Sequence, residues 1–167
     1  MMLSKWLGTK QGQPEEIILS PLSGKVLKLA DVPDPVFSTM LREHGIAIEP
    51  VAGIVLSPVD GEVVAILPSK HAVVMRSING VELIIHIGLD TVSMRGEGFH
   101  AHVQKGDRVI TGQPLIDFSP ELVKRKATSA ITPIFIINPE VIDWLDIQFP
   151  DLAKAGVTPL MRIRLKH

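Results

Sequence analysis

The chain has 167 residues, with 17 basic and 18 acidic side chains that leave a net charge of −1, and it contains no cysteine. That balance argues against nucleic acid as a main partner, because a phosphate backbone is met by clustered Lys and Arg; the missing cysteine excludes a disulfide scaffold, a thiolate zinc site and a cysteine nucleophile. Apolar residues make up 46% of the sequence, yet every apolar run ends well short of the roughly 18 residues a membrane span needs, so they are expected to form the core of a cytoplasmic protein.

Met1-Met2-Leu3-Ser4-Lys5-Trp6-Leu7 places apolar groups at helical spacing ahead of a polar, Gly-containing stretch that ends at Pro14. Seven residues cannot hold a helix in water, but an interface can induce one. Residues 1–14 therefore read as a flexible amphipathic tail able to touch the inner membrane face weakly through residues 1–7, and residues 15–167 as a single domain. Ser20-Pro21-Leu22-Ser23-Gly24-Lys25-Val26 recurs as Ser57-Pro58-Val59-Asp60-Gly61-Glu62-Val63. Each copy reads as strand, Gly turn, strand, which predicts two similar β layers over one core. Lys25 to Leu29 alternates with period two, whereas Val63 to Leu67 and Ile134 to Ile137 are continuous apolar runs suited to strands buried on both faces. A further Gly turn is expected at Lys105-Gly106-Asp107. Short helices are expected at Pro120 behind Ser119 and at Pro139 behind Asn138. The fold class predicted is all-β: an antiparallel sandwich or flattened barrel with an internal strand-turn repeat and a few short helices.

The chemistry concentrates between His71 and Asp90. Residues 71–78 and 81–87 read as strands joined by Asn79-Gly80, a two-residue hairpin loop. That turn predicts pairing of Ser77 with Glu82, Met75 with Ile84, Val73 with His86 and His71 with Gly88. His71 and His86 would then share a face as diagonal neighbours, with Gly88 leaving room for the rings to meet. An imidazole titrates near 6.5, so near pH 7 one ring can act as a neutral nucleophile while the other donates hydrogen bonds to developing charge. Two such rings suit phosphoryl transfer.

The run Gly80-Val81-Glu82-Leu83-Ile84-Ile85-His86-Ile87-Gly88-Leu89-Asp90-Thr91-Val92, continued through Gly96-Glu97-Gly98-Phe99, resembles the active-site segment of the glucose-type IIA component of the bacterial phosphoenolpyruvate-dependent sugar phosphotransferase system. Pro21-Leu22-Ser23-Gly24, Asp31-Val32-Pro33-Asp34, Gly45-Ile46-Ala47-Ile48, Pro58-Val59-Asp60-Gly61, His71-Ala72, Lys105-Gly106-Asp107 and Thr132-Pro133 follow that family's order and spacing. The resemblance implies an antiparallel β-sandwich in which His86 takes a phosphoryl group from the histidine-containing phosphocarrier protein and passes it to a cysteine on the IIB domain of a sugar permease. It implies that His71 supports donation to IIB, and that Ser69, where the family usually has threonine, orients the His71 ring. Asp34 and Asp90 match acidic residues flanking the pocket. No cofactor is implied, and regulatory partners such as glycerol kinase, adenylate cyclase or other permeases are.

Where related proteins ring the pocket with phenylalanine, this chain has Leu67, Ile84 and Ile87, with Phe37 retained, and Lys70 replaces a small polar residue. Val36, Phe37, Met40, Ile46, Leu67, Ile84 and Ile87 are the expected docking face, although Val36, Phe37, Met40 and Ile46 are also reasonable core residues and core is the safer reading of Ile46. His71 and His86 could also supply half of a tetrahedral zinc site shared with a partner. Two rivals are a zinc hydrolase using His86, Asp90, His100 and His102, whose elements stand in the wrong order for zinc peptidases, and a lipoyl or biotinyl carrier modified at Lys70.

Overall fold

The computed structural model describes residues 13–167, so the expected membrane contact at residues 1–7, and all of the tail but Gln13 and Pro14, lies outside the described residues. In chain order the strands are β1 (Glu15–Leu19), β2 (Gly24–Lys28), β3 (Gly45–Pro50), β4 (Ile54–Leu56), β5 (Gly61–Ile66), β6 (Ala72–Ser77), β7 (Glu82–His86), β8 (Phe99–Ala101), β9 (Arg108–Val109), β10 (Pro114–Phe118), β11 (Thr132–Ile136), β12 (Ile142–Ile147), β13 (Leu152–Ala153) and β14 (Pro159–Leu165), with one α-helix, α1 (Pro120–Lys126). They form an eight-stranded sheet of order β13-β2-β3-β11-β7-β6-β5-β9 and two three-stranded sheets, β1-β14-β12 and β4-β10-β8. All named strand pairs are antiparallel. The main core lies between the layers: Ile46, Ile48, Val73, Met75, Leu83 and Ile85 of the large sheet pack with Ile18, Val55, Leu115, Ile116 and Met161 of the small ones. This is the antiparallel β-sandwich the patterning predicts.

The repeat is present, but not as two layers. Its copies open β2 and β5 of one sheet, whose strand order has matching halves: Gly24 pairs with Pro50 at the start of β2, as Gly61 pairs with Ser77 at the start of β5. In both copies the serine is fully buried and its Oγ donates to the carbonyl two residues on, Ser20 to Leu22 at 2.6 Å and Ser57 to Val59 at 2.7 Å. Both glycines are required by close approach. A Cβ on Gly24 would lie 2.0 Å from the Glu49 carbonyl oxygen, and one on Gly61 2.0 Å from that of Arg76. Gly61→Ala must therefore push β5 off β6, and it is expected to cost about 3 kcal/mol or more, read as a lower urea midpoint. An unchanged midpoint would refute that account.

A second apolar cluster covers the centre of the large sheet's other face: Leu29, Val32, Phe37, Ala47, Leu89 and Phe135. It explains why β11 is buried at all five positions, as its continuous apolar run predicts. The run from Val63 to Leu67 behaves differently. A bulge between Val63 and Ala65 interrupts its register, only Val63 is fully buried, and Leu67 is 38% exposed. Of the two expected helices, α1 forms with Ser119 Oγ accepting from the Leu122 N–H at 3.1 Å. Pro139–Val141 is a single 3₁₀ turn, because Asn138 is engaged elsewhere. Its Oδ1 accepts from the Glu82 N–H and its Nδ2 donates to the Gly80 carbonyl, both at 2.8 Å, which fastens the β6–β7 hairpin.

Candidate functional site

The β6–β7 turn has three loop residues rather than two. The Ser77 N–H donates to the Val81 carbonyl at 2.8 Å, and Gly80 takes φ +97 while Asn79 keeps an ordinary φ. The Asn79 side chain also donates to the Glu15 carbonyl at 3.3 Å. The register moves by one, pairing Ala72 with His86, Val73 with Ile85 and Met75 with Leu83. Burial dictates the choice: this register turns Val73, Met75, Leu83 and Ile85 together into the core, whereas pairing Met75 with Ile84 would have sent Leu83 and Ile85 to the opposite face.

The slip places Ile87, not Gly88, opposite His71, with the Ile87 N–H donating to the His71 carbonyl at 2.7 Å. Regular alternation would now separate the two histidines. They nevertheless meet, because His71 sits at a bend just outside β6, preceded by Lys70 in the left-handed region at φ 58. The ring centroids are 5.1 Å apart and the planes 80° apart, an edge-to-face contact. Gly88 serves a different purpose from the one expected. At φ +75, a Cβ there would stand 2.5 Å from Thr91 Cγ2 and 2.9 Å from the Ser129 carbonyl oxygen, so glycine is needed for packing against the loop before β11.

The His86 ring is held on both sides. Its Nδ1 lies 2.8 Å from the Gly88 carbonyl oxygen. A carbonyl only accepts, so Nδ1 carries a proton and donates, and in the neutral ring the lone pair is on Nε2. The Phe37 ring packs against the His86 ring at 5.5 Å and in turn against Phe135 at 5.7 Å. Asp34, Val36, Phe37, His86, Asp90, Thr91 and Val92 line a depression of about 220 Å³. Asp34 Oδ1 accepts from the Val36 N–H at 2.9 Å, so the carboxylate shapes the turn that delivers Phe37. Asp90 takes φ 60 at the start of the Thr91–Met94 3₁₀ turn, and its Oδ2 accepts from Thr128 Oγ1. Non-glycine residues in this region are uncommon, and such strain gathers at functional sites.

His71 is 5% exposed, and burial, seconded by the neighbouring His86, lowers its pKa from the ordinary 6.5. Its Nδ1 is buried without a hydrogen-bond partner. The contact expected from Ser69 is not made: half-buried Ser69 joins neither imidazole by a hydrogen bond, and packing with the bend at residue 71 orients the ring instead. The unfolded chain protonates residue 71 more readily than the native one. Neutral His71 thus contributes stability that is complete above about pH 6.5 and lost as pH falls through the lowered value. His71→Gln is expected to flatten that acid-side loss, measured as urea midpoints from about pH 7.5 down to pH 5. Parallel curves for the two proteins would contradict it.

The docking face is smaller than expected. Ile46 and Ile87 are 0% exposed and belong to the core, since inward-facing positions of β3 and the end of β7 must fill the space between layers. Phe37 is also mostly buried. Val36 and Leu67 are exposed, Ile84 is half-buried, and the side chain of Met40 lies outside what the structure describes. Val92, 60% exposed on the depression's rim, was not anticipated, though its place two residues after Asp90 in the motif pointed to it. Among the described residues no three His, Asp or Glu side chains gather in a way that could hold a metal ion. This removes the grouping of His86 and Asp90 with His100 and His102, which lie at the β8 edge of another sheet. No helix among the described residues is long and apolar enough to cross a membrane.

The model of the phosphoenolpyruvate-dependent sugar phosphotransferase system EIIA 1 family matches residues 16–142. The chain is 43% identical over 165 residues to the PTS system glucose-specific EIIA component of Bacillus cereus, covering 99% of this chain and 100% of that one. To the component of the same name from Halalkalibacterium halodurans it is 46% identical over 152 residues, 91% of this chain and 88% of that one. Among solved structures, the glucose permease IIA from Mycoplasma capricolum superposes with a TM-score of 0.79 at 27% identity, covering 92% of this chain and 99% of that one.

Proposed function

Because the chain belongs to the EIIA 1 family of the phosphoenolpyruvate-dependent sugar phosphotransferase system, we propose that it carries a phosphoryl group on His86 Nε2 between the histidine-containing phosphocarrier protein and the IIB cysteine of a sugar permease of the glucose class. The observation that supports this most directly is the hydrogen bond from His86 Nδ1–H to the Gly88 carbonyl, which fixes the ring and, in its neutral form, leaves the lone pair on Nε2 beside a second imidazole.

In the first step the Nε2 lone pair attacks phosphorus in line. A new N–P bond forms as the N–P bond of the donor phosphohistidine breaks, and the electron pair returns to the donor ring. Nδ1 keeps its proton throughout, and the Gly88 carbonyl stabilises the positive character that the His86 ring acquires. In the second step a cysteine thiolate attacks the same phosphorus, an S–P bond forms, and Nε2 recovers its lone pair. The exposed apolar side chains of Val36 and Val92 at the depression exclude water from the docked complex, and Asp34 and Asp90 offer negative charge to basic groups on partners.

Phosphorylation adds about two negative charges to this face and so disfavours apolar partners, which would let glycerol kinase, adenylate cyclase or other permeases sense the phosphorylation state. His71 and His86 would supply two ligands to a zinc ion completed by a partner's carboxylate. The chain would work in the cytoplasm, peripheral to the membrane through residues 1–7. The test of the central reading is incubation of the full chain with phosphoenolpyruvate, the first enzyme of the relay and the phosphocarrier, followed by intact-mass analysis. An acid-labile phosphoryl adduct is expected; an unlabelled chain would overturn the carrier assignment.

A further inference from the structure

His100 and His102 form a second histidine pair, on the outward side of the strand edge that ends β8. The buried residues Phe99 and Val103 alternate with them, so both imidazoles leave the same face. Their ring centroids are 4.9 Å apart and the planes 81° apart. Asp117 stands directly across from His100 on β10, and its Oδ2 lies 2.9 Å from His102 Nε2. A carboxylate accepts, so Nε2 of His102 carries a proton, and when the ring is neutral its lone pair is on Nδ1. The arrangement is that of a metal-ligating histidine whose other nitrogen is fixed by a carboxylate. Two imidazoles bound to one ion through metal–nitrogen bonds of about 2.0–2.1 Å have centroids about 5 Å apart, a separation with which the 4.9 Å of this pair is compatible.

From the pair's geometry, we infer that His100 and His102 form a two-nitrogen surface chelate for a divalent first-row transition ion of borderline softness, with Asp117 as the positioning carboxylate and water completing the shell. Imidazole donors suit nickel, copper and zinc over magnesium or calcium. The site is separate from the His71–His86 pair and does not depend on the phosphocarrier reading.

The test is a substoichiometric titration of the ¹⁵N-labelled full chain with nickel chloride, following each histidine ring by NMR. The His100 and His102 ring signals are expected to broaden first, ahead of those of His71 and His86. His102→Ala is expected to weaken nickel binding at least tenfold, and Asp117→Asn roughly tenfold through loss of ring orientation. His102 is exposed and Asp117 half-buried, and unchanged backbone spectra will show that the variants fold; His100→Gln provides a second loss of one donor with little change in volume. Broadening that starts at His71 and His86 or at the N-terminal residues overturns the inference. So does an affinity within twofold of the unmodified chain for His102→Ala and His100→Gln, and so does Asp117→Asn binding as tightly as the unmodified chain.

Discussion

His86→Ala is expected to lower phosphoryl uptake from the phosphocarrier by at least about 10³-fold, to the background of the labelling assay. The magnitude follows from the absence of a substitute nucleophile. The chain has no cysteine. His71 is buried, its Nδ1 has no partner, and its carbonyl is tied to Ile87, so it is not free to replace His86 as the proposed nucleophile. Of the other lining groups with lone pairs, Asp34 and Asp90 are weak nucleophiles already holding the Val36 N–H and the Thr128 hydroxyl, and the buried Thr91 hydroxyl donates to the Ile87 carbonyl. The variant should fold. The lost contact is one half-buried hydrogen bond to Gly88, worth about 1 kcal/mol, together with packing against Phe37. A near-native thermal midpoint with no acid-labile adduct is therefore the expected pair of results. Labelling of the variant at another histidine would refute the assignment of the carrier.

Much of this site was legible in the sequence, yet its register was not. The Asn-Gly dipeptide correctly located a hairpin, and the two histidines do meet. The two-residue loop chosen from that dipeptide competes with a constraint that only the tertiary fold supplies, the need to send Val73, Met75, Leu83 and Ile85 to one face. The core prevailed, and the turn accommodated it with one more residue. Convergence of the rings then depends on a bend at His71 that local propensity does not forecast. The misreading at Ile87 has a related origin. An apolar residue near a motif reads the same whether it faces a partner or the core, and only the second layer of the sandwich decides. The glycine repeat was visible for a firm reason. Backbone approaches of 2.0 Å at Gly24 and Gly61 admit no side chain, so the pattern is written in residue identity.

His71→Gln is expected to preserve uptake within about tenfold while slowing onward transfer to IIB by about 10²-fold or more. The asymmetry follows from what His71 can become. In the free protein, burial and the neighbouring His86 hold its pKa down, so at neutral pH it is an uncharged ring set edge-to-face against the acceptor. An uncharged donor is what the first step needs, and a glutamine amide supplies a comparable N–H. Once His86 carries the phosphoryl dianion, the sign of the neighbouring charge reverses and favours protonation of His71. The onward step brings an anionic thiolate to that dianion. An imidazolium a few ångströms away, largely out of solvent, offsets a charge build-up worth about 3 kcal/mol, which no amide can do. The measurement is the rate of radiolabelled phosphoryl transfer from each phosphorylated chain to the IIB domain across pH. Transfer by the unmodified chain is expected to decline as rising pH deprotonates His71 in the phosphorylated state, and the glutamine variant to lie low and flat. Equal rates and parallel pH profiles would leave His71 as packing alone.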